Sequence, residues 1–103
     1  MLFGFPMIRH MVLFRFKPDT PAATRDSVLD QLHELPAHFP TMRRFGLGEN
    51  ISKRDDRFTH VMTIEFEERQ QLDAYLDSPR HESFVLTHFR PHIEERVIAS
   101  YET

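Results

Sequence analysis

Between Ile8 and Phe16 the side chains alternate, with Ile8, His10, Val12, Phe14 and Phe16 on one face and Arg9, Met11, Leu13, Arg15 and Lys17 on the other. A period of two is the mark of a β-strand with one buried face. Lys17-Pro18-Asp19 interrupts it, and Thr20-Pro21 offers an N-cap and a first-turn proline for a helix. In that helix Val28, Leu32, Leu35 and Phe39 recur at spacings of four, three and four, a stripe that faces a core, and Pro36 and Pro40 are expected to end it. Met42 to Ile51 predicts a second strand in which Gly46 and Gly48 mark a bulge or a close approach, followed by a charged turn over Ser52 to Arg57. Thr59 to Phe66 alternates again, His60, Met62, Ile64 and Phe66 sharing a face. Glu67 to Asp77 predicts a second helix with Leu72, Tyr75 and Leu76 on one side. Ser78-Pro79 stops it and caps a further helical segment through Phe84, Val85 and Phe89, which Pro91 ends. Val97 to Tyr101 predicts the last strand, Val97, Ala99 and Tyr101 alternating with Ile98 and Ser100.

Strand, helix, strand, strand, helix, strand is the ferredoxin-like βαββαβ order, an α+β fold with helices on one face of a four-stranded antiparallel sheet. The other sheet face then carries Met11, Leu13, Val61 and Ile98 among Arg9, Arg15, Thr63 and Glu65. That is more apolar surface than a monomer leaves wet, so a second copy is expected to cover it in a two-fold homodimer.

A length of 103 residues holds one core, read as a domain over residues 8–102 behind a leader over residues 1–7. With 40% hydrophobic residues and ten Phe the chain can fill that core. Thirteen Lys plus Arg against sixteen Asp plus Glu give a net charge of −3 without a basic patch, which argues against nucleic-acid binding. The apolar stretch Met1 to Ile8 is broken by Gly4 and Pro6 and is far short of the roughly 20 residues of a membrane span, so no membrane partner is expected. The absence of Cys removes thiolate ligands, Cys nucleophiles and disulfides and fits a reducing compartment, hence a cytoplasmic expectation.

Seven His are many for this length, and they supply the one side chain that titrates near neutral pH. His88 and His92 stand at a helix-face metal spacing with Glu95 beyond, but Pro91 between them ends the helix, so no metal is expected. Gly46-Leu47-Gly48 lacks the third glycine and the helix of a dinucleotide fingerprint, and no cofactor is expected.

His10-Met11-Val12-Leu13-Phe14-Arg15-Phe16-Lys17, Gly48-Glu49-Asn50-Ile51-Ser52, Thr59-His60-Val61, Phe66-Glu67 and Tyr75-Leu76-Asp77-Ser78-Pro79-Arg80-His81-Glu82-Ser83-Phe84 occur in an order and spacing that resembles the stress-responsive A/B barrel (Dabb) family of dimeric α+β barrels. The resemblance runs from about Ile8 to Glu102 and implies a homodimer whose two sheets pack into a barrel. One branch of the family cyclises linear polyketides by aldol-type condensation in a pocket between sheet and helices, and this chain is similar to it at His10, His60, Tyr75 and His81. It carries Ser78 where many members have His, and Ser100 where many have Asp.

These readings place His60, Tyr75 and His81 in one pocket as catalytic candidates, with Val12, Phe14, Leu32, Met62, Ile64 and Phe84 as apolar walls for a small organic ligand. A neutral His81 in the first turn after Ser78 is expected to be able to abstract a proton alpha to a carbonyl, with Tyr75 either donating to the developing enolate or positioning the substrate. His10, on the antiparallel neighbour of the third strand, is ranked lower, toward the opposite end of the sheet. Two other classes compete: a stress or structural dimer without catalysis, in which each His packs at the core edge, and a cofactorless monooxygenase, by analogy of fold.

Overall fold

A computed structural model describes residues 5–103. The elements run β1 (Ile8–Phe16), α1 (Ala22–His33), α2 (Leu35–His38), β2 (Arg43–Glu49), β3 (His60–Phe66), α3 (Arg69–Leu76), α4 (Pro79–Phe84) and β4 (Ile93–Glu102). The sheet order is β2-β3-β1-β4 with every pair antiparallel, and the fold is ferredoxin-like α+β. Residues 1–4 of the expected leader lie outside the described residues. Met7, also assigned there, is tied down: its N–H donates to Thr103 Oγ1 and its carbonyl accepts from Thr103 N–H, both at 2.9 Å.

The period of two in β1 is realised directly, since Ile8, His10, Val12, Phe14 and Phe16 are all buried against the helices. Met62, Ile64 and Phe66 of β3 join them, and Val28, Leu32, Leu35, Leu72, Tyr75 and Phe89 close the core from the helical side. Pro36 does not terminate the first helical stretch. It sits in the first turn of α2, where its missing N–H costs nothing, and the chain bends at Glu34. After α4, Val85–Phe89 makes a π-helical turn and Arg90–His92 a 3-10 turn holding Pro91, so His88 and His92 do not share one regular helix.

β2 is bulged between Arg43 and Gly46, with Arg44 at φ 44°. A Cβ on Gly46 would stand 2.9 Å from Thr63 Oγ1, so glycine is what lets β2 approach β3 here.

The register of β4 corrects one expectation about the face away from the helices. Leu13 pairs with Val97 and Met11 with Ala99, while Ile98 pairs with Val12. Directly paired residues share a face, so Val97 belongs to the open face and Ile98 to the helical one. The open face carries Met11, Leu13 and Val61, half-buried, beside Val97 and Tyr101, each 46% exposed. Arg9 crosses it, with Nε donating to Glu65 Oε2 at 3.0 Å and Nη1 to the Tyr101 hydroxyl at 2.9 Å.

Candidate functional site

Tyr75 stands in the last turn of α3, 2% exposed, and His81 follows it across the Asp77-Ser78 link in α4. Ser78 caps α4 by accepting from Arg80 N–H, which fixes where the chain re-enters helix and brings the His81 ring over the Tyr75 ring, centroids 4.4 Å apart. Leu76 is the last residue of α3, and its carbonyl belongs to the helix end that has no partner within the helix. His81 Nδ1–H donates to that oxygen at 3.2 Å. A carbonyl only accepts, so Nδ1 carries the proton in the neutral ring and Nε2 carries the lone pair.

His10 approaches the same tyrosine from the sheet, with ring centroids 6.2 Å apart in an edge-on arrangement. Its Nδ1 lies 2.7 Å from Ser100 Oγ, and β1–β4 pairing places His10 directly opposite Ser100. A hydroxyl that can both donate and accept therefore meets the imidazole.

His60 does not share this site. The expectation that it meets Tyr75 and His81 is corrected by the register: His10 pairs with Ile64, and His60 with Phe14, four residues further along. α3 starts beside the Phe66 end and its eight residues rise only about 12 Å, against about 23 Å for the seven residues of β3. Tyr75 thus reaches back only to the level of His10. His60 instead stacks on Phe14 at 5.3 Å, receives or gives a hydrogen bond at Thr59 Oγ1 over 2.8 Å, and borders a separate hollow with Arg25, Glu49 and Asp56.

Between His10, Tyr75 and His81 lies a cavity of about 110 Å³, walled by Val12, Leu32, Met62 and Phe84 as expected. Phe14 and Ile64 do not line it; both are fully buried beneath the sheet surface in the core. Leu76, Val85, Phe89, Arg96 and Ile98 complete the lining. The β4 pair among these was legible in principle, because counting by twos from Ser100 puts Ile98 and Arg96 on the same face as His10.

Burial is the main force on the three titratable groups. It lowers the His81 pKa below the usual imidazole value, against the opposing pull of the Leu76 carbonyl and Glu82. It lowers that of His10 too, helped by the charge of His81. It raises that of Tyr75, which keeps its proton at neutral pH. The site therefore offers a neutral imidazole with a free Nε2, a phenol that donates, and a second neutral imidazole, in an apolar cavity: a base and an oxyanion donor side by side. Among the described residues no group of three or more His, Asp or Glu is arranged to hold a metal ion. Among the described residues no helix is long and apolar enough to cross a membrane.

Residues 8–103 match the model of the Stress responsive A/B Barrel Domain family, Dabb. A stress-response A/B barrel domain-containing protein of Arabidopsis thaliana is 30% identical over 79 residues, 74% of this chain and 68% of that protein. Olivetolic acid cyclase of Cannabis sativa is 20% identical over 79 residues, 75% of this chain and 78% of the cyclase. Among solved structures, a hydroxynitrile lyase from Passiflora edulis superposes with a TM-score of 0.85 at 24% identity, covering 94% of this chain and 93% of that one. A dimeric ferredoxin-like protein of unknown function from Thermobifida fusca does so with a TM-score of 0.80 at 21% identity, covering 100% and 96%. At these identities the two structures speak for the fold. With the family pattern running from Ile8 to Thr103 over this sheet, the chain belongs to the stress-responsive A/B barrel (Dabb) family.

Proposed function

We propose that the cavity beside His81 binds a small apolar carbonyl compound and moves a proton on it. His81 Nε2 takes the proton from the carbon next to the carbonyl, the C–H electron pair passes into the enolate, and the oxygen that gains charge accepts from the Tyr75 hydroxyl. Return of the proton from His81, to the same carbon or to a group the enolate has attacked, closes the cycle. The observation that carries this reading is the His81–Leu76 hydrogen bond at the rim of an apolar cavity, because it leaves the reactive nitrogen without a proton. His10 takes the place that the sequence assigned to His60. One relative is named a cyclase, and an aldol-type ring closure is one reaction that this pairing of base and oxyanion donor suits.

Size limits the substrate. At about 110 Å³ the cavity is smaller than the roughly 300–1,000 Å³ of drug-sized sites and below the roughly 150 Å³ that holds a benzene ring. The same smallness favours one competing reading, a structural dimer whose core is nearly filled. The open face supports a homodimer in either case: Leu13, Met11, Val61 and Val97 form an apolar strip with no helix over it. The absence of cysteine favours a cytoplasmic setting.

The test is carbon-bound hydrogen exchange of butanone in D2O, followed by NMR. The reading expects protein-catalysed exchange that His81→Ala abolishes and Tyr75→Phe reduces. Exchange at the buffer rate with wild-type protein leaves the structural dimer.

A further inference from the structure

We infer that the ligand of this cavity is an acid, held by its carboxylate at Arg96 with its hydrocarbon part turned inward to Tyr75 and His81. The inference rests on the reading of the cavity as a ligand site and adds to it the charge, polarity and orientation of what enters.

Among the described residues Arg96 is the one formally charged side chain on the cavity wall; everything between it and the imidazoles is apolar or aromatic. Its position follows from the register. Arg96 stands opposite Phe14 and Ser100 opposite His10, on the same face of β4 with Ile98 between them. Four residues of strand separate the two levels by about 13 Å. The cavity is thus polar at both ends and apolar in the middle: His10, Tyr75 and His81 at one, a guanidinium at the other.

Two further observations make Arg96 a recognition group rather than a structural one. It is exposed on the edge strand, at the mouth of the cavity. And among the described residues it enters no ion pair, in which it resembles Arg25, Arg44, Arg54, Arg80 and Arg90 and differs from Arg9, Arg15, Arg43, Arg57 and Arg69, but it alone of the arginines lines this cavity. A guanidinium presents a planar fork that matches a carboxylate with two parallel hydrogen bonds. One such group, with no second cation on the wall, balances a single negative charge, which favours a carboxylate over a phosphate dianion. The apolar walls and the small volume favour a short aliphatic stem behind it.

The experiment is an NMR titration of wild-type protein and Arg96→Leu with hexanoate, hexan-1-ol and hexyl phosphate, following the Tyr75 and His81 resonances. The expected result is that all three perturb these resonances in the wild type, with hexanoate bound about fivefold tighter than the alcohol and at least as tightly as the phosphate, as for one partly exposed charge-assisted pair. Arg96→Leu removes the preference for the acid while keeping the affinity for the alcohol, and raised salt weakens the two anions, hexanoate and hexyl phosphate, but not the alcohol. Equal affinity for acid and alcohol in the wild type, or a preference that survives Arg96→Leu, overturns the inference and leaves the cavity reading standing. Tighter binding of the phosphate overturns the choice of carboxylate. If none of the three probes perturbs Tyr75 or His81, the cavity reading itself fails, and the inference with it.

Discussion

His81 hangs by Nδ1 from the carbonyl of Leu76, the last residue of the helix that carries Tyr75, so the imidazole and the phenol it faces are held by one helix end. The bond satisfies an orphan carbonyl and selects a tautomer in the same contact. His10 reaches the same phenol from β1. Three groups from two layers thus converge on one point, and the charge of His81 acts on the titration of His10.

Coupling gives the first prediction. The charge of His81 helps to lower the His10 pKa, and His81→Ala removes that charge while opening the site to water; both changes raise the His10 pKa. His60→Ala, in a separate hollow, leaves the titrations of His10 and His81 where they were. NMR titration of the two variants checks both halves, and a shift of His81 on loss of His60 would contradict the site as described.

A second prediction concerns stability against pH. His10, His60 and His81 all have pKa values lowered chiefly by burial. Above the unfolded value of about 6.5 both states are neutral at these positions and stability does not depend on them. As pH falls below it the unfolded chain takes up protons first, so stability declines until the lower native values are passed. Denaturant midpoints are expected to fall from pH 7 to pH 5, less steeply in His10→Gln and His81→Gln. A midpoint that rises over that interval would reverse the sign assigned to burial.

Gly46 supplies the third. Its substitution by Ala drives a methyl to 2.9 Å from Thr63 Oγ1, and a β-branched side chain turns aside poorly. Gly46→Ala is expected to cost about 1–3 kcal/mol by equilibrium unfolding, as overpacking does. Gly46→Ala combined with Thr63→Ala should recover much of that loss; equal losses in the single and double variants would mean that the cost comes from the bulge backbone.

The alternation in β1 and β3 made both strands and their buried faces legible, because a period of two leaves one solution where a whole row is apolar. β4 was harder: among its ten residues only Ile93 is even half-buried, so its pattern does not announce a face, and Ile98 was expected on the wrong one. The site was legible as a set of residue types but not as a set of neighbours. Tyr75 and His81 are six apart on linked helices and could be joined locally. Choosing between His10 and His60 required comparing the rise of a helix with that of a strand, a difference of more than half per residue that no motif encodes.

The open face yields a prediction about assembly. Leu13→Glu places a carboxylate in the middle of the apolar strip that a second copy is proposed to cover, where it has no partner. Sedimentation velocity at micromolar concentration is expected to show a dimer for the wild type and a large monomer fraction for the variant. A wild-type monomer would remove the two-sheet barrel.

The claim that His81 is a base rests on which of its nitrogens holds the proton. Nitrogen-15 NMR of the His81 ring across pH reads this directly. The account predicts a neutral ring protonated at Nδ1, with Nε2 unprotonated, and a pKa below the reference of about 6.5. A neutral ring protonated at Nε2 would leave no lone pair on the nitrogen assigned as the base, and a pKa at or above that reference would reverse the effect assigned to burial; either result would contradict the account.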